Sequence, residues 1–195
     1  MKRLTAQDWI DFALTMLARE GAQALKADVL ARGLGVSRGS FYWHFPGLDA
    51  FHAHVIEHWK KINTEAVIAD IERHQAPAQR LDALLSQAFG RSAGLEIRMR
   101  AWAGDNVAAA RAVDDIDRRR REYIARLLVT AGVAPALAAT RAQLLYWSYL
   151  GAASSRTRLS PERLEAMIAE LGRLALGDGR GASAGSGRRP RRPRA

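Results

Sequence analysis

Residues 30–45 read Leu30-Ala31-Arg32-Gly33-Leu34-Gly35-Val36-Ser37-Arg38-Gly39-Ser40-Phe41-Tyr42-Trp43-His44-Phe45, and the fold turns on this run. It holds the parts of two short helices joined by a tight turn, the first over about 27–34 and the second over about 37–44. Ala31 is small enough for close packing of the two helices. Gly33 and Gly35 are available for the turn, and Gly35 suits a left-handed backbone because it has no Cβ. Val36 is the expected buried hinge and Ser37 the expected N-cap of the second helix. Phe41 and Phe45, spaced i and i+4, form that helix's inward face.

This geometry leaves Arg38, Gly39 and Ser40 on the exposed first turn of the second helix. A guanidinium there can contact guanine with two hydrogen bonds, and a serine hydroxyl can reach a phosphate or a base edge. Tyr42, Trp43 and His44 follow as three successive large side chains with polar tips. A helix of two turns cannot turn all three inward, so some of them face out, where they can donate to phosphates or pack on sugars and thymine methyls. The plainer alternative is that these aromatics cap the small domain's core. With the turn signals before them, the nucleic-acid reading is the one favoured.

Outward from this motif the apolar periodicity is helical from end to end. A first helix is expected over Gln7–Glu20, and a long one from Asp49 to about His74 after the Pro46-Gly47 break. Four more follow: 77–93, one containing Ile97 to Trp102, 107–131, and 135–154. Ser160-Pro161-Glu162 opens the last, ending near Leu176. The expected fold class is therefore all-α, with about nine helices. The domains divide into a helix-turn-helix domain over 1–48, a helical effector-binding and dimerisation domain over 49–176 with 49–74 as connector, and a disordered tail over 177–195. No repeat of fixed period is visible.

Composition narrows the function class. The 195 residues are 48% hydrophobic and 26% charged, ordinary for a globular protein. No run approaches the roughly 18–20 apolar residues of a membrane span, and no signal peptide is visible, so a cytoplasmic protein is expected. The absence of cysteine removes disulfides, thiolate catalysis and cysteine-bound zinc. Of the net charge of +10, the tail supplies half, with Arg180, Arg188, Arg189, Arg191, Arg192 and Arg194 against Asp178. Charge alone is thus a weak argument for a polyanionic partner.

Leu30-Ala31, Leu34-Gly35-Val36-Ser37 and Phe41-Tyr42-Trp43-His44-Phe45 closely resemble the signature of the TetR family of repressors. The likeness covers residues 7–51 in motif detail and the remainder in helix number and length. It implies an all-α homodimer, with three N-terminal helices on double-stranded DNA, a connecting fourth, and a C-terminal body that binds a small inducer and dimerises. Arg38, Gly39, Ser40, Tyr42, Trp43 and His44 match positions that the family uses on DNA. Two departures stand out: Leu48 replaces the lysine common at the start of the fourth helix, and Lys26-Ala27 replaces the threonine often found entering the second. Lys26, Lys2 and Arg3 are the substitute phosphate contacts.

In the body, residues 135–153 carry Arg141 as their only charge, and a helix so apolar all round is covered on more than one side. Ala138, Ala142, Leu145, Tyr149 and Ala152 form a candidate dimer stripe, joined by Leu164, Met167 and Leu171 of the last helix. The alternative is a helix central to a monomeric bundle. Phe89, Met99, Trp102, Tyr123, Tyr146 and Trp147 are candidate cavity residues, against the plainer reading that each fills core. Arg98 and Arg100 read as solvated surface, as do Asp114, Asp115 and Asp117 beside Arg118–Arg121.

His54-Val55-Ile56-Glu57-His58 fits an H-x-x-E-H zinc-peptidase pattern, but nothing downstream supports it, and no metal or other cofactor is expected. The function read from sequence is a non-enzymatic DNA-binding regulator, a repressor released from a palindromic operator by a small molecule. The alternatives are a helical zinc enzyme using His54, Glu57 and His58, and a protein that binds nucleic acid non-specifically through its basic tail.

Overall fold

The computed structural model describes residues 4–74, 76–157 and 159–177, which are helical throughout with no strand among them. The helices are α1 (Ala6–Glu20), α2 (Ala27–Gly33) and α3 (Arg38–His44). A rod, α4, starts as Leu48–Lys60, widens into a π-helical turn at Lys61–Glu65 and continues as Ala66–Ile71. The body adds α5 (Pro77–Gly90), α6 (Gly94–Ala103), α7 (Val107–Thr130), α8 (Pro135–Ser154) and α9 (Pro161–Leu176). That makes nine helices among the described residues. Lys2, Arg3 and the six tail arginines lie outside them.

Local chemistry explains the boundaries. Thr5 and Asp8 form a reciprocal capping box at the start of α1, with Thr5 N donating to Asp8 Oδ2 over 2.7 Å. The α2–α3 turn closes α2 with two bonds, Val36 N to Ala31 O at 3.0 Å and Gly35 N to Arg32 O at 3.2 Å. Gly35 sits between them at φ +68°, a left-handed conformation that strains residues with a Cβ. Gly33 serves differently from the expected turn role. It ends α2 beneath the Phe12 ring, which an added Cβ would meet at 2.5 Å. Val36 is half-buried rather than fully buried, and Ser37 takes the N-cap backbone conformation without a side-chain cap bond.

Two large cores organise the chain. The first gathers Trp9, Leu17, Leu30, Phe41, Phe45 and Phe51 with Val55 and Trp59 of α4, Met99 and Trp102 of α6, and Ala109 to Ile116 of α7. It therefore crosses the expected boundary at residue 48 without a gap. The second holds Leu81 and Leu85 of α5, Ile124 and Leu128 of α7, Ala138 to Tyr146 of α8, and Ala175 of α9. α7, about 36 Å long at 1.5 Å per residue, runs through both.

Phe41 is the hub of the first core, with its ring 5.5 Å from Trp9, 5.3 Å from Phe45 and 5.1 Å from Phe51. Truncation to Phe41→Ala is expected to destabilise the protein by about 3–5 kcal/mol, the usual cost of emptying a buried aromatic site. Urea unfolding followed by circular dichroism measures it, and a loss below about 1 kcal/mol would contradict this packing.

Candidate nucleic-acid interface and ligand cavity

Because Phe41 and Phe45 are buried, the rest of α3 is turned away from the core. Tyr42 is 47% exposed and Trp43 73% exposed, an unusual state for two aromatics on a seven-residue helix. Arg38 and Gly39 are exposed, Ser40 and His44 half-buried, and Lys26, at the N-cap of α2, is exposed on the same small unit. Arg38 Nη2 donates to the Tyr42 hydroxyl over 3.0 Å, and its guanidinium lies 5.6 Å from the Tyr42 ring centre. That bond makes proton loss from Arg38 harder still, so the group is a fixed positive charge on the outer face. Leu48, where the resembling family has lysine, is exposed at the start of α4 and brings no charge.

A cavity of about 110 Å³ lies in the body, walled by α4, α5, α7 and α8 and by the start of α6. Phe89, Tyr123 and Tyr146 stand on its wall. Met99 and Trp102 do not, because α6 turns them into the first core. Trp147 does not line it either, being 61% exposed on the far face of α8. The sequence-based set is corrected accordingly: Val67, Ile68, Leu84, Leu145 and Tyr149 complete the apolar wall.

Beside the cavity is an ionic cluster built around the buried Glu96, which sequence reasoning missed. Glu96, 5% exposed, accepts from Arg100 Nε at 2.9 Å and from Arg120 Nη1 at 3.1 Å. Arg120 also donates to Thr64 Oγ1 at 3.0 Å and to the Asn63 carbonyl at 3.1 Å, both in the π-helical turn of α4. Arg100 grips Asp117 with both terminal nitrogens, at 3.1 and 2.5 Å, and the Tyr146 hydroxyl donates to Asp117 Oδ1 at 2.6 Å. Burial works against both guanidinium charges, but the Asp117 hydrogen bond and the Glu96 and Asp117 charges hold Arg100 protonated, and Glu96 chiefly does so for Arg120. Burial also pushes the Tyr146 phenol upward, so it stays a neutral donor. Arg100, Asp117 and Arg120 are thus not solvated surface. Four successive arginines in a helix span most of its circumference, and that spacing alone requires one of Arg118–Arg121 to point inward.

The candidate dimer stripe lies mostly inward in the chain's own packing. Ala138, Ala142 and Leu145 are buried in the chain's own second core, and Tyr149 and Leu171 pack against it. Leu164 and Met167 are half-buried, and only Ala152 of the set is exposed. The apolar surface of α8 that this chain leaves uncovered lies on the opposite side, with Leu137 50%, Leu144 56% and Trp147 61% exposed; Leu174 of α9 is similarly bare. His54, Glu57 and His58 do not converge. His54 lies by the Phe45 ring, Glu57 pairs with Lys60 at 2.6 Å, and His58 pairs with Asp11 at 2.9 Å. No group of three metal-ligating side chains occurs among the described residues, and no described helix is long and apolar enough to cross a membrane.

Residues 10–53 match the sequence model of the bacterial regulatory proteins of the tetR family. This is a TetR-like fold with an N-terminal helix-turn-helix. Its solved neighbours include a transcriptional regulator from Rhodococcus sp. Rha1, 22% identical, with a TM-score of 0.73 over 89% of this chain and 96% of that one. A TetR transcriptional regulator from Legionella pneumophila is 16% identical with a TM-score of 0.68, covering 87% and 98%. AibR, solved with isovaleryl coenzyme A and operator DNA, is 13% identical with a TM-score of 0.66, covering 85% and 96%. Comparison with curated protein sequences gives no match. The chain thus carries a segment that matches the tetR-family model on a TetR-like helical body.

The ionic cluster generates a stability prediction. Glu96→Gln leaves Arg120 without its carboxylate partner and is expected to cost about 3–5 kcal/mol, the usual loss when one half of a buried pair is removed. Denaturant unfolding reads it, and a change under about 1 kcal/mol would mean that water already screens the pair.

Proposed function

We propose that this chain is a ligand-responsive transcriptional repressor that binds a palindromic operator as a homodimer. The observation that carries the reading is the outer face of α3, where Arg38, Tyr42 and Trp43 stand exposed on a helix anchored by two fully buried phenylalanines. Recognition needs a rigid helix whose first turns reach base edges, and α3 lies within the segment that matches the family model. In this reading Arg38 contacts guanine, while Ser40, Tyr42, Trp43, His44 and Lys26 contact phosphates, sugars and thymine methyls, and Gly39 allows close approach.

Two further features support the regulatory half. The cavity offers a small molecule a site in the body, and a protein of the same fold has been crystallised with both an acyl coenzyme A and operator DNA. The exposed Leu137, Leu144 and Trp147 on α8, with Leu174 on α9, supply a two-fold dimer face in place of the stripe expected from sequence. A two-fold dimer presents two α3 helices to half-sites about 34–36 Å apart. A ligand that favours another spacing of the two α3 helices releases the DNA.

A gel shift of the purified full chain on DNA from upstream of its own reading frame tests the first half. Arg38→Ala is expected to weaken the specific complex roughly 5- to 150-fold, the worth of a good bidentate base contact. Removal of residues 178–195 should lower non-specific, salt-sensitive affinity and spare the specific complex. A chain that shows no preference for any upstream sequence would refute the reading. For the dimer, Leu144→Glu with Trp147→Glu should give a monomer by sedimentation equilibrium and a large loss of operator affinity; a variant that stays dimeric would place the interface elsewhere.

A further inference from the structure

We propose that the body cavity takes a small neutral molecule of about one ring, apolar over most of its surface and carrying a single hydrogen-bond donor for Gln87. The inference rests on reading the chain as ligand-responsive and names the class of ligand. Size comes first. At about 110 Å³ the space is somewhat smaller than an engineered apolar cavity of about 150 Å³ that holds benzene, so it holds one ring or a short branched chain.

Charge comes second. The ionic groups clustered beside the cavity, Glu96 buried and the others half-buried, cancel: Glu96 and Asp117 carry two negative charges, Arg100 and Arg120 two positive ones, and every pair is closed by hydrogen bonds. A charged ligand buried here would find no uncommitted counter-charge, and an unpaired ion in such surroundings is strongly disfavoured. Arg91 borders the cavity but is exposed, and water already solvates it.

The need for a ligand donor comes from Gln87 on the wall of α5. Its amide nitrogen is committed to Asp70 Oδ2 at 3.3 Å, which fixes the amide's orientation, because a carboxylate accepts and cannot donate. The other amide atom, Oε1, is buried and has no partner. An unsatisfied buried acceptor is costly, and a ligand O–H or N–H removes that cost while its apolar remainder packs on Val67, Leu84 and Tyr149.

Four single-ring probes separate the possibilities when titrated into the intact, full-length protein by calorimetry: phenol, toluene, benzoate and benzylammonium. Phenol is expected to bind about tenfold more tightly than toluene, and both charged probes at least about thirtyfold more weakly than phenol. Gln87→Met, which keeps the side chain's length but not its acceptor, should abolish the preference of phenol over toluene. Benzoate or benzylammonium binding as tightly as phenol overturns the proposal, as does a phenol preference that survives Gln87→Met or the failure of all four to bind. Should Gln87→Met not fold, the ranking of the four probes on the unsubstituted chain decides. Operator binding by the unliganded protein is read separately in the gel shift, so failure of the ligand class and failure of the regulator reading are distinguishable.

Discussion

The carboxylate of Glu96 has to be neutralised where it stands, buried between α6 and α7, and much of the body follows from how that is done. One guanidinium comes from its own helix, Arg100 at i+4, and the other from α7, Arg120. Arg120 must then place its remaining donors, and it does so on Thr64 and the Asn63 carbonyl of α4. Three helices are thereby fixed against one another by bonds that are expensive to break singly. The π-helical turn of α4 belongs to this arrangement, because it lies where the rod has to offer a backbone carbonyl sideways.

The same helix that carries Glu96 reaches the DNA-binding unit within two turns. Leu95 and Glu96 border the cavity, whereas Met99 and Trp102 are buried in the first core with Trp9 and Phe51, and the Trp102 ring lies 5.1 Å from that of His52 on α4. α6 is ten residues long, so a displacement at one end is carried to the other with little room to dissipate. Close-packed interiors respond to displacement by shifting between discrete packings rather than by bending smoothly. The base on which α3 rests is therefore in mechanical contact with the cavity through one short element.

How much of this was legible in sequence depended on whether a residue's neighbours along the chain determined its side. The α3 face was legible because a seven-residue helix is too short to stand alone. Phe41 and Phe45 had to anchor it, and Tyr42 and Trp43 then had to face out. The register of α8 was not legible for the opposite reason. Its apolar residues encircle the helix, so periodicity identified a helix covered on two sides without saying which side the chain itself covers. Ala138, Ala142 and Leu145 turned out to be the inner side. The ionic cluster lay between these cases: Arg118–Arg121 resembled a solvated face, and only counting degrees around the helix reveals that one arginine must enter the core. The π-helical turn left no sequence mark that periodicity can detect.

These constraints also bear on how a ligand could act. A ligand shifts a two-state equilibrium only by its differential affinity for the two states, and a near-complete switch needs about 5.5 kcal/mol. The bonds joining α4 to α7 are charge-assisted, each worth roughly 1.5–3 kcal/mol net. A molecule that moved α4 away from α7 by breaking both Arg120 contacts would spend a comparable amount before any switching was achieved. A ligand that leaves Arg120 bonded to Thr64 and Asn63 instead moves α4 and α7 as a unit against α5 and α8. Its binding energy then goes into repositioning that unit, and with it the Phe51 side chain, whose ring lies 5.1 Å from that of Phe41 on α3. The cluster that makes the cavity electrically neutral thus also selects which helices can move together.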